Sequence, residues 1–324
     1  MNILVTGGAG FIGSNFVNRL FAREYDIDFN QVYILDSLTY AGSKSNLNQS
    51  VLNDPRLHFI VGSINDKVLV GELVTKVDTI VNFAAESHVD RSIENPELFL
   101  VTNVLGTTNI LNALVGRNDK KLVQISTDEV YGSIDHGSWD EFSEVSPNSP
   151  YSASKASADL LCKAFHKTYG VNVVMTRCSN NYGPNQFPEK LIPLTVKKLT
   201  SGESVPIYGD GLQRREWIHV DDHCLGIALV LSKGRSGEIY NIGSGIEIEN
   251  IRLVEFIITH LGLDLSRISH VADRLGHDSR YSVNFEKIVN ELGYATKVSF
   301  EQGMRDTVDW YKVKFSTGFS STAK

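Results

Sequence analysis

The chain opens on a short apolar run, Asn2 to Thr6, that breaks at once into Gly7-Gly8-Ala9-Gly10-Phe11-Ile12-Gly13 and then into a helical pattern near Phe11–Ala22. No other feature narrows the possible folds as much. A buried strand ending in a glycine turn that opens a helix is the start of a strand–helix–strand unit. The unit recurs. Strand patterns at Gln31–Leu35, Leu57–Val61, Thr79–Asn82, Lys121–Ser126 and Asn172–Thr176 alternate with helical ones at Lys67–Lys76, Pro96–Val115 and Tyr151–Tyr169. Apolar strands separated by helices need a parallel sheet covered on both faces. Right-handed crossovers then leave a doubly wound parallel sheet, an α/β fold, as the expected architecture.

After about residue 177 the alternation breaks down. Gly183–Pro184, Pro188, Pro193, Pro206 and Gly209–Gly211 punctuate a stretch expected to be a loop-rich lobe, and Glu238–Asn241 returns as one more strand. The expected division is therefore a dinucleotide-binding domain at 1–177, with 216–245 returning to it. A smaller substrate lobe takes 178–215 and 246–315, and a frayed tail 316–324. At 324 residues and 42% hydrophobic content the chain can build both cores. A net charge of −7 without any Lys/Arg block argues against nucleic acid or an anionic membrane as partner. The three cysteines, Cys162, Cys178 and Cys224, form neither a metal pair nor a disulfide framework, and His88 lacks partners at ligand spacing. No metal is expected. With no leader pattern before Asn2 and no apolar run long enough to span a bilayer, a soluble cytoplasmic protein is expected.

The spacing Gly7-x-x-Gly10-x-x-Gly13 lets backbone N–H groups approach a pyrophosphate at the helix start. Asp36 follows at the end of the second strand, where a carboxylate accepts hydrogen bonds from an adenosine ribose and repels a 2′-phosphate. Together they point to NAD rather than NADP on a Rossmann sheet. At the fifth strand's carboxyl end, Ser126-Thr127-Asp128-Glu129-Val130-Tyr131-Gly132 points polar groups toward the ligand crevice. Tyr151 and Lys155 stand one helical turn apart, so the ammonium is expected beside the phenol, favouring phenolate.

The glycine loop and the Tyr-x-x-x-Lys pair resemble the extended short-chain dehydrogenase/reductase superfamily. The runs Ala84–Ile93, Ser126–Gly132, Ser179–Pro184, Phe187–Pro193 and Asp273–Asp278 bring the resemblance closest to its dTDP-glucose 4,6-dehydratase family, over nearly the whole chain. That resemblance implies that Tyr151 takes the O4 proton while C4 passes a hydride to NAD. Lys155 holds the nicotinamide ribose and Thr127 bonds the C4 oxygen. Glu129 removes the C5 proton, Asp128 protonates the departing C6 hydroxyl, and the hydride returns to C6. It also implies that Phe11, Ile12, Ser63, Ile64, Ala84, Ala85, Ser87, Thr102 and Asn180 line the NAD. Asn180, Arg215 and Arg274 are implied at the substrate diphosphate, with Ser87 near the sugar. Glu189, Lys190, Leu191, Pro206 and Tyr208 are implied at the nucleoside, with Asn250, His277 and Tyr281 close by.

Ser63 stands where the family has aspartate, removing one acceptor for the adenine amino group, and Asn82 and Ser244 replace the more usual His and Gly. The rival readings are a 4-epimerase, a UDP-glucuronate decarboxylase, and a dehydratase for UDP or GDP sugars. An epimerase has no need of the Asp128–Glu129 pair. Apolar residues on more than one face of Pro96–Val115 and Tyr151–Tyr169 (Leu98, Val101, Leu105; Leu160, Leu161, Ala164, Phe165), with the family's habit, imply a four-helix homodimer interface.

Overall fold

The computed structural model describes residues 1–316. Of the tail expected at 316–324, Ser316 belongs to the last helix, and 317–324 lie outside the described residues. The strands are β1 (Asn2–Thr6), β2 (Gln31–Asp36), β3 (Leu57–Val61), β4 (Thr79–Asn82), β5 (Lys121–Thr127), β6 (Asn172–Cys178), β7 (Asn180–Tyr182), β8 (Val205–Tyr208), β9 (Arg214–His219), β10 (Ile239–Ile242), β11 (Glu247–Glu249) and β12 (Ile268–Val271). Seven of them form one parallel sheet in the order β10-β6-β5-β4-β1-β2-β3. Strand order reverses between β1 and β4, the switch point outside which doubly wound sheets bind ligands.

The continuous apolar strands follow from burial on both faces. On β1, Ile3 and Val5 enter one core layer and Leu4 the other; on β5, Val123 and Ile125 oppose Leu122. A polar rung crosses the sheet at its ligand end: Thr6 donates to Asn82, and Asn82 Nδ2 donates to Gln124 Oε1 at 2.7 Å. The helix Val220–Lys233 lies on the first core layer. Its last carbonyls, which helix geometry leaves without partners, accept from Lys121 Nζ of β5 at 2.8–3.0 Å (Val230, Leu231 and Gly234).

Three expectations change here. The region beyond 177 is not loop-rich: helices Leu191–Thr200, Asn250–His260 and Phe300–Ser316 pack around Ile192, Val196, Trp217, Leu253, Ile257 and Met304 beside the small sheets β11-β9-β7 and β12-β8. The Gly and Pro signals mark the ends of these elements. Gly209 and Gly211 take φ of 56° and 77° in the turn after β8, and Pro193 sits in a first helical turn, where no intrahelical donor is lost. Because β9 pairs with β7 and β11, the return to the large sheet begins at Val220 rather than 216. The single helix expected over Pro96–Val115 is three pieces, Pro96–Phe99, a wide π turn at Leu100–Gly106, and Thr107–Leu114.

Candidate active site

The glycine loop is built for an anion. Gly7 has φ of 68°, and a Cβ there would lie 2.6 Å from the Ala84 nitrogen; one on Gly13 would lie 2.3 Å from the Gly7 carbonyl. The loop is thus pressed between the start of the following helix and the end of β4. That helix, Phe11–Phe21, has neither a side-chain cap nor an acidic residue in its first turn, so its leading N–H groups face the crevice uncompensated. Asp36 accepts from Ala9 N and Leu38 N, each at 2.8 Å, which orients its carboxylate at the crevice edge with lone pairs left for ribose hydroxyls. Ser63 Oγ accepts from Asn65 N at 3.1 Å, leaving its hydroxyl hydrogen to donate. Ile64 is buried against Gly106. Thr102 lies in the π turn, half-buried. These groups fit an adenosine diphosphate carrying a second nucleoside.

The chemical groups gather where β5 ends. Thr127 caps the 3-10 turn Asp128–Tyr131, its Oγ1 accepting from Glu129 N and donating to Asp128 Oδ1, each at 3.3 Å. Tyr151 arrives on the helix Pro150–Tyr169, whose start is fixed by a reciprocal Ser149–Ser152 capping box. Its phenol lies against Thr127, and burial, then the Glu129 charge, push it well above the ordinary tyrosine range. The lysine expected beside it behaves differently. Lys155 Nζ donates to the Ile125 carbonyl at 2.6 Å, because a buried ammonium takes the nearest strong acceptor. Burial depresses the Lys155 pKa, and Asp159 partly restores it.

Burial raises both adjacent carboxyls, but their charged neighbours differ. Asp128 is 2% exposed with Oδ2 unpaired, and burial, reinforced by Glu129 and Glu216, holds it far above the carboxylate range. Glu129 is half-buried; burial raises it, but Lys190 and Arg215, and more weakly Arg274, favour its charged form. One site therefore holds two carboxyls that burial raises, with cations favouring the charged form of Glu129 and neighbouring carboxyls disfavouring that of Asp128.

The second half of the chain supplies the opposite wall. Lys190 Nζ donates to the Ser87 carbonyl at 2.6 Å. Arg215 donates to the Asp278 carbonyl at 2.8 Å and lies 4.3 Å over the Tyr281 ring, while Tyr281 donates to the Asp278 carboxylate. Arg274 pairs with Asp90 at 2.6 Å and lies 5.1 Å from the Tyr208 ring centre. His277 bonds Asp273 at 2.7 Å and meets the edge of Tyr208. Pro206 precedes Tyr208 on β8, Leu191 begins its helix, Asn180 begins β7, and Ala84, Ala85 and Ser87 follow β4. Asn250 starts the helix Asn250–His260, its N–H on the Gln213 carbonyl at 3.0 Å. Glu189 accepts from Arg91 Nε at 3.0 Å. Sequence reasoning missed Asp90 and Asp278 as carboxylate partners, although both lie inside the family runs quoted above; Asp90 and Arg274 are 184 positions apart. Among the described residues, no helix is long and apolar enough to cross a membrane.

A doubly wound sheet whose glycine turn and Tyr-x-x-x-Lys helix face a split carboxyl pair marks the extended short-chain dehydrogenase/reductase class. A family model described as GDP-mannose 4,6 dehydratase matches residues 4–307. A curated dTDP-glucose 4,6-dehydratase from Actinoplanes sp. is 50% identical over 318 residues, 98% of this chain and 99% of its own. Another from Streptomyces antibioticus is 51% identical over 96% of this chain and 92% of its own. The crystal structure of DesIV, a dTDP-glucose 4,6-dehydratase from Streptomyces venezuelae with NAD bound, superposes with a TM-score of 0.95 at 54% identity, covering 98% of each chain. The chain belongs to the dTDP-glucose 4,6-dehydratase family of that class.

Proposed function

We propose that this protein is an NAD-dependent hydro-lyase that converts dTDP-glucose to dTDP-4-keto-6-deoxy-glucose. The observation that carries the reading is the setting of the two neighbouring carboxyls: an elimination needs one base and one acid, and Asp128 is buried with an unpaired oxygen while Glu129 lies near Lys190 and Arg215. Bound NAD supplies a hydride acceptor at C4 and returns the hydride to C6, with no net redox change. Thr127 donates to the C4 oxygen. Tyr151 receives the O4 proton, and Lys155, anchored by the Ile125 carbonyl, steadies the nicotinamide ribose. Once C4 is a ketone, the C5 proton is acidic and within the chemistry of Glu129. Asp128 gives its proton to the C6 hydroxyl, which leaves as water.

Gly7, Gly10, Phe11, Ile12, Gly13, Asp36, Ser63, Ile64, Ala84, Ala85, Ser87, Thr102 and Asn180 hold the NAD. Arg215, Arg274 and Asn180 take the diphosphate, Arg offering forked contacts, and Lys190, Leu191, Pro206, Tyr208, Asn250, His277 and Tyr281 surround the nucleoside. Residues 1–177 with 220–245 act as the cofactor half and the remainder as the substrate half. Buried, unpaired Cys162, Cys178 and Cys224 suit a reducing cytoplasm. The exposed apolar residues of the two long helical segments pair with a second copy of the chain.

The test is mass spectrometry of the product formed from dTDP-glucose in deuterated water without added reductant. Loss of water with one solvent deuterium at C5 is expected. An isomer of unchanged composition would point to epimerase chemistry, and unchanged substrate would shift the search to UDP and GDP sugars.

A further inference from the structure

We propose that Tyr40, Arg91, Phe187 and Glu189 form a clasp across the cofactor cleft that governs how slowly the bound dinucleotide leaves. The inference rests on the reading that the cleft holds NAD. In the sheet, β1 lies between β4 and β2. Tyr40 is carried by the loop after β2, and Arg91 by the short helix after β4. The Arg91 guanidinium stands 3.7 Å from the centre of the Tyr40 ring. A contact between the loops that flank β1 on either side must pass over the carboxyl end of β1, where the glycine loop begins.

The lobe closes the same contact from a third direction. Phe187 sets its ring edge-on to Tyr40, centroids 5.2 Å apart, and Glu189 accepts from Arg91 Nε at 3.0 Å. The next residue, Lys190, bonds the Ser87 carbonyl on the segment that carries Arg91. The Tyr40 loop is also tied to the floor of the cleft: Ser43 N donates to the Ala9 carbonyl at 3.0 Å, and Asn46 Nδ2 donates to the same oxygen at 2.9 Å. Glu86, 7% exposed, shares the Arg91 charge with Glu189. Without Arg91, Glu86 and Glu189 would lose the cation they share, and the two banks would lose their direct contact with each other, leaving only the Phe187–Tyr40 and Lys190–Ser87 contacts to the lobe. An exposed ion pair alone would matter little. Here one guanidinium both pairs and stacks, which resists opening more strongly.

The experiment measures NAD in the purified full-length protein after acid release, then the rate at which bound NAD exchanges with excess isotopically labelled NAD. Wild-type protein is expected to carry NAD and exchange it slowly. Arg91→Ala and Phe187→Ala should each exchange faster, Arg91→Ala by on the order of tenfold. Arg91→Lys is a milder surface change that keeps the charge but loses the flat stacking, and should fall between. Variants that hold NAD and exchange it at the wild-type rate overturn the clasp alone. A wild-type chain that neither carries nor takes up NAD overturns the reading beneath it as well.

Discussion

Asp128 and Glu129 are covalent neighbours that burial raises alike while different charges act on each, and their roles can be tested directly. If Asp128 is already neutral at pH 7, Asp128→Asn replaces one neutral group by another of the same shape. The variant should melt within about 2 °C of wild type, since a change of ~1 kcal/mol moves a chain of this size little. Water elimination should fall by about 10²–10⁴-fold, the usual worth of a general acid. A large shift in melting would show that the buried carboxyl is charged. Lys190 bears on the base. Its charge favours ionised Glu129, so Lys190→Met should raise the Glu129 pKa further and move the acid limb of the kcat profile to higher pH. A limb that stays in place would remove Lys190 from that role. At this scale the glycines, Asp36, Tyr151 and the carboxyl pair were legible because local spacing carries them. Asp90, Asp278 and the Lys155–Ile125 bond were not, because each depends on a partner brought near only by folding.

The π turn at Leu100–Gly106 is the element a periodicity reading could not show, since one widened turn leaves the apolar pattern on both sides intact. Its effect lies in Asn103. The side chain accepts from Glu86 N at 2.8 Å, donates to the Glu86 carbonyl at 3.0 Å, and reaches Ser154 Oγ at 2.8 Å on the helix of Tyr151. One residue thus couples the segment after β4, which lines the cofactor cleft, to the helix bearing Tyr151 and Lys155. Asn103→Ala leaves a buried N–H and carbonyl unpaired, so a loss of about 1–3 kcal/mol is expected in denaturant unfolding. A stability unchanged within error would mean that the turn is held by packing alone. The lobe helices were hidden for another reason. Gly and Pro cluster at their boundaries, and dense boundary signals read as continuous loop.

Taken whole, the molecule leaves an apolar face uncovered. Leu161 and Phe165 turn inward onto the sheet's core, but Leu98, Val101, Leu105 and Leu160 stand 42%, 42%, 56% and 53% exposed on neighbouring helical segments. Burying such a patch against its own copy would close a two-fold dimer. Combining Leu105→Glu with Leu160→Glu is expected to give a species of half the wild-type mass by sedimentation. A wild-type chain that sediments as a monomer would discard the dimer. The main sheet was legible because its strands are local apolar runs; the return of β10 to its edge was visible only as a short pattern far along the chain.

That return has a consequence for how the protein is made. On the ribosome, β1 to β6 emerge long before Ile239–Ile242, and until then β6 presents an open row of backbone donors and acceptors. The helix Val220–Lys233, which Lys121 fastens to β5, arrives just as late. A nascent chain stalled or cut near residue 177 would therefore carry a nearly complete sheet with an unguarded edge and one partly uncovered apolar face, a form suited to joining its neighbours rather than to folding alone.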